Sequence, residues 1–161
     1  MSSRSLSDVL RQRRHMDRYL GELSTLMARA VQPDELGSRE QAVEMRVAAQ
    51  GFLGQSSAWC EIKFADRSSE HFAKFLKRLT DANSSSIYVW TPHTIDCGTF
   101  LAPSLDVIKF DFPFAINDDG ILSFVTSDLQ DRLVLDFSRT FAGQEVMRVE
   151  TQGPGWARII Y

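Results

Sequence analysis

Reactive side chains are scarce in this chain: three histidines and two cysteines among 161 residues, with five prolines. No glycine–lysine phosphate loop, dinucleotide glycine fingerprint, Gly-x-Ser-x-Gly elbow or His-Glu-x-x-His pair occurs. These spacings carry phosphate cradling, nucleophilic acyl transfer and zinc hydrolysis, so their absence removes the commonest enzyme classes. No apolar run approaches the roughly 18–20 residues that span a bilayer, so no membrane segment is expected. Met1 to Val9 lacks a basic segment followed by an apolar stretch, so no signal peptide is read there. The expected location is therefore cytoplasmic, with Cys60 and Cys97 as reduced thiols.

What is present is globular. Hydrophobic residues make up 43% and charged residues 24% of a length that suits one domain with a real core. The net charge of −3 is unevenly spread. Residues 1–82 carry 13 Lys+Arg against 11 Asp+Glu, and residues 83–161 carry 5 against 10. An acidic C-terminal half steers basic partners and repels nucleic acid, whose binding depends on neutralising phosphates.

Periodicity divides the chain in the same place. Val9, Leu10, Met16, Leu20, Leu23, Leu26 and Met27 recur at helical spacing and predict a helix from Ser7 to Val31. Ser38 followed by Gln41 reads as a capping box opening a second helix that Gly54 ends, with Ala42, Met45, Ala49, Phe52 and Leu53 as its stripe. Trp59 to Phe64 is a short strand, and a third helix capped near Ser68 carries Phe72, Phe75, Leu76 and Leu79. Beyond Asn83–Ser86 the period becomes two. Strands are expected at Ile87–Thr91, Leu105–Ile116, Ile121–Thr126, Arg132–Ser138, Glu145–Thr151 and Ala157–Tyr161. The turn Asn117–Gly120 would pair the second of these with the third as a hairpin, and Pro113 would mark an edge or a bulge. The expectation is one α+β domain spanning 1–161. Its mainly helical part, residues 1–85, would cover one face of a mainly antiparallel β-meander at residues 86–161.

Each candidate for chemistry has a blander reading that prevails. His93, Asp96 and Cys97 supply three groups where a structural zinc needs four, so no metal is expected. Cys97 near His93 offers a thiol and a base but no orienting third group. Asn117–Gly120 lacks the twelve-residue span of a calcium loop. Arg11, Arg14 and Arg18 line one helix face beside His15, but Asp8, Asp17 and Glu22 offset them, so the face reads as solvated and not as a phosphate stripe. No cofactor and no catalytic residue is assigned.

The run Ser86–Trp90, then Gly120–Leu122, Thr126–Asp128, Leu133–Phe137, Val146–Glu150 and Gly153 with Trp156 resembles bacterial immunity proteins. Those paired with polymorphic toxins, including contact-dependent growth inhibition systems, are the nearest in pattern. The resemblance covers the last 75 residues or so; the first 85 match no named pattern. It implies a cytoplasmic, non-enzymatic protein that binds and neutralises one cognate toxin, frequently a basic nuclease. The other readings are a secretion chaperone that binds an effector protein, and a small enzyme of unrecognised type.

Hairpin geometry narrows the expected interface. A strand of about six residues separates its two turns by roughly 20 Å. One end gathers Asp118, Asp119, Arg139, Gln144 and Glu145, a mixed set. The other gathers Asp106, Asp128, Asp131 and Glu150 with Trp156, and carboxylates beside an aromatic anchor suit a basic partner. These five residues are the expected partner-binding site.

Overall fold

A computed structural model describes residues 5–52 and 56–161. Helix α1 spans Leu6–Met27, α2 Arg39–Ala49, α3 Glu70–Ala82 and the single turn α4 Thr94–Cys97. Six strands, β1 (Ser57–Lys63), β2 (Ile87–Trp90), β3 (Phe100–Ala102), β4 (Ile121–Thr126), β5 (Arg132–Arg139) and β6 (Glu145–Gln152), form one antiparallel sheet. Its order is β1-β6-β5-β4-β2-β3. The fold is α+β, and β4, β5 and β6 form the expected meander. Among the described residues no helix is long and apolar enough to cross a membrane.

Local chemistry accounts for the helix boundaries. Ser5, Ser38 and Ser69 each accept, through the side-chain hydroxyl, a hydrogen bond from a first-turn amide, those of Asp8, Gln41 and Phe72. The third helix thus begins one residue later than expected, at a cap on Ser69 instead of Ser68. Helix α1 stops at Met27, short of Val31, because Ala28 turns left-handed with φ 51°. Gln41 does not close a capping box. Its amide reaches the Tyr88 hydroxyl and accepts from Thr99 Oγ1, tying α2 to the sheet. Leu53 and Gly54, expected at the end of α2, lie outside the described residues.

The core lies on one side of the sheet. Tyr19, Leu23 and Leu26 of α1 and Phe72, Phe75 and Leu79 of α3 pack with Ile87, Val89, Leu122, Phe124, Leu133, Leu135, Phe137, Met147 and Val149. Helix α2 departs from the expectation that all the helices share this side. Its residues Met45, Arg46 and Ala49 face Trp90, Ser123 and Val125 across a groove on the opposite side.

Two expected strands are absent. After a short 3-10 turn at Leu105–Val107, residues 108–113 run without a ladder partner, and the chain then turns, with the Ile116 amide donating to the Pro113 carbonyl. Their alternation is real, since Ile108, Phe110 and Phe112 are buried, but it records alternate contact with the core and not membership of the sheet. Phe110 meets Phe72 and Phe124, and Phe112 meets Phe64 and Phe137. The strap's backbone is satisfied from elsewhere. The Lys109 amide donates to the Leu26 carbonyl at 2.7 Å, and Arg67 Nε donates to the Phe112 carbonyl at 2.7 Å. Pro113 needs no ladder partner here and marks neither an edge nor a bulge. The Asn117–Gly120 turn therefore closes no hairpin; Asn117 Oδ1 accepts from the Gly120 amide at 2.8 Å, and Gly120 takes the positive φ of 66°.

The second missing strand is Ala157–Tyr161. Gly153, at φ 104°, starts a turn in which the Ala157 amide donates to the Gly153 carbonyl, and the chain curls back onto α3. Tyr161 then packs on Phe72 and Phe75, and Arg78 donates to the Ile160 carbonyl. The helical half in turn supplies an edge of the sheet: β1 pairs with β6 from Ser57↔Gln152 to Lys63↔Val146.

Candidate functional site

Of the five residues expected at one surface end, Asp128, Asp131 and Trp156 do come together, through Asn83 and the Trp156 amide, but they do not form an exposed surface. Asp131 is 2% exposed, and its carboxylate accepts from the amides of Gly155 and Trp156 and from Asn83 Nδ2. Trp156 is 0% exposed and donates its indole N–H to the Leu79 carbonyl at 2.9 Å. Both hold the fold together, so neither presents itself to a partner. Asp128 is exposed but is engaged by Asn83 and the Gln130 amide, and Asp106 is exposed beside Thr80. The reason is the curl after Gly153, which drives Trp156 inward where a sixth C-terminal strand would have left it at a turn.

Glu150 alone sits where an aromatic side chain and carboxylates meet solvent, and the aromatic is Trp59. The two are direct cross-strand partners on the outward sheet face. The same register carries on through Val134, Ser123 and Trp90, giving one row across five strands with a tryptophan at each end. The next row is Glu61, Arg148, Asp136 and Ile121, alternating in charge before it turns apolar. Trp59 is 58% exposed, and the Arg148 guanidinium stacks on it at 4.2 Å while pairing with Glu150 at 3.3 Å. At the far end the groove against α2 encloses about 380 Å³ over Trp90, Ile121 and Val125, with Arg46, Asp119 and Arg132 at its margins. Phe141 is fully exposed at the tip of the β5–β6 hairpin.

Sequence periodicity had flagged Trp59 only as a strand residue. Its outward direction depends on its pairing with β6, a partner nearly 90 residues away that no local pattern names.

The His93 region is organised differently from either reading of its sequence. Cys97 is 3% exposed and burial pushes its thiol up to about 12, with Asp96 adding to the effect, so it is no nucleophile near neutral pH. Among the described residues no three His, Cys, Asp or Glu side chains converge as metal ligands. Instead His93 stacks on His15 with ring centroids 4.6 Å apart, and His15 Nδ1 lies 3.1 Å from Asp96 Oδ2. On the other side His93 Nε2 lies 3.6 Å from Glu22 Oε1. Glu22 is 5% exposed, and its second oxygen, Oε2, has no hydrogen-bond partner. Burial raises its pKa to about 7, opposed by the Thr91 hydroxyl and supported by Asp118. Two of the three arginines on the α1 face are held by carboxylates, Arg11 by Asp96 at 3.7 Å and Arg18 by Asp118 at 3.0 Å.

Comparisons of the chain with protein-family models, curated proteins and solved structures find no match.

Proposed function

We propose that this chain is an immunity protein that binds a cognate bacterial toxin, basic and nuclease-like, and occludes it by docking on the outward sheet face. The observation that carries the reading is the row Trp59, Glu150, Val134, Ser123 and Trp90 laid across the outward sheet face, which α2 borders at the Trp90 end. Tryptophans are the side chains that most often dominate protein interfaces, because they bury much surface at little conformational cost. Glu150 faces Trp59 and Glu61 follows it on the same strand face. Asp136 lies across Arg148 in the next row, and the Arg148 charge is taken up by Glu150 and the indole face. A basic surface complements that arrangement, and the acidic C-terminal half adds long-range steering. The reading assigns no turnover to the protein: it acts by binding.

The experiment is co-purification with the product of the adjacent gene, followed by titration calorimetry on that pair. Trp59→Ala should weaken binding more than tenfold, and Glu61→Lys with Asp136→Lys should slow association and flatten its salt dependence. Loss of affinity in Phe141→Ala, with Trp59→Ala unaffected, would move the interface to the hairpin tip. Capture of a secreted effector in place of a toxin would support the chaperone reading.

A further inference from the structure

A second site lies between α1 and the end of the strap. Arg18, Glu22 and Thr25 of α1, His93 and the end of the strap at Ile116–Asp118 enclose an open cavity of about 450 Å³. Glu22 lines it with a carboxylate that is almost wholly buried, one oxygen beside His93 and the other, Oε2, without a donor. A buried acceptor left without a donor is costly, on the order of 1–3 kcal/mol and more when charged. An acid stands here where glutamine would have the same shape, and an N–H brought in by a ligand would satisfy its second oxygen.

We infer that this cavity binds an organic cation, an alkylammonium or guanidinium head group whose N–H donors reach Glu22 Oε2. The charges facing Glu22 fit this assignment. Arg18 is already paired with Asp118, and Asp119 lies within electrostatic range. His93 is held below its ordinary pKa, chiefly by burial and then by its neighbour His15, so near neutral pH it brings no positive charge. Beyond His15, Asp96 is occupied by that ring and by Arg11. An incoming cation therefore meets at the bottom a carboxyl group helped to ionise only by the Thr91 hydroxyl and the more distant Arg18, and Asp118 at the mouth. Binding selects ionised Glu22, so below pH 7 it releases a proton and tightens as pH rises.

Two sources have this chemistry, a free small amine and an arginine or lysine side chain presented by another protein. Methylguanidinium and methylammonium, with urea as the uncharged control, distinguish charge from shape, and an arginine-bearing peptide tests the second source. The amide signals of Gly21 and His93, followed by NMR during titration of the intact protein, report occupancy. The expected result is saturable binding of the cations in the millimolar range, with none for urea. Below pH 7 the affinity should rise by up to about tenfold per pH unit, and buffers of different ionisation enthalpy should reveal the released proton. Tighter binding of the peptide than of methylguanidinium would identify the protein source, and equal binding the free amine.

Glu22→Gln should reduce affinity at least tenfold. Gly21→Leu is the second variant: the glycine lies at the cavity wall with open space where a Cβ would point, and leucine is the better helix former. It should fold and close the site, while Asp128→Asn, remote from the cavity, should bind as the parent does. No saturable shift, or equal binding in Glu22→Gln and the parent, overturns the inference and leaves the cavity to water.

Discussion

Asp131 Oδ1 accepts the backbone amide of Trp156 at 2.9 Å, while the indole of Trp156 donates to the last turn of α3. One buried carboxylate thus fixes the C-terminal curl to the meander, and the curl fixes the meander to a helix. Asp131→Ala should therefore destabilise the protein by about 3 kcal/mol, since several donors lose a charged acceptor at once. Asp128→Ala, whose side chain is exposed, should cost less than about 1 kcal/mol. Urea denaturation of the two variants checks this; equal midpoints would show that the curl is not anchored there.

Glu22 gives stability a pH dependence of unusual sign for a carboxylate. Its pKa is raised from 4.5 to about 7 in the folded chain, so between those values the folded state holds the extra proton. Its contribution is complete below pH 4.5 and is lost as pH rises through 7. The gain in stability of Glu22→Gln over the parent should therefore grow from under about 1 kcal/mol at pH 5 to about 3 kcal/mol at pH 8. His93, held below 6.5, contributes the opposite slope, but both proteins carry it. Denaturation midpoints measured across this range decide the matter; a flat difference would mean that Glu22 ionises freely.

The strap's aromatic side chains stand for packing without pairing. Phe112 is buried against Phe64 and Phe137, so Phe112→Ala should cost about 3–5 kcal/mol. Lys109→Ala, exposed on the same segment, should leave stability within about 0.5 kcal/mol. If both changes are mild by thermal denaturation, the strap is an accessory and the core stands without it.

The strap also shows where reading the sequence succeeds and where it stops. A period of two follows from extended backbone alone, so the alternation that buries Ile108, Phe110 and Phe112 is visible in the sequence. Nothing in that period distinguishes a strand in a ladder from a strap whose amides find Leu26 and whose carbonyls find Arg67. Ser38 and Gly120 were legible because their roles depend on neighbours within a few residues. Trp156 was misread as a surface anchor because its burial depends on a turn that folds it onto α3. Glu22 was read only as a charge offsetting arginines; its isolation comes from His93 and the strap, both distant in sequence.

The pairing of β1 with β6 has a consequence in time. A chain made from its N-terminus exposes Ser57–Lys63 long before Glu145–Gln152 exists, and Trp156 arrives later still. The β1–β6 seam of the sheet cannot close until Gln152 has been made, so β1 must wait for its partner strand. During that interval Trp59 and the strand that bears it have an open edge, available to any other chain with a strand to offer.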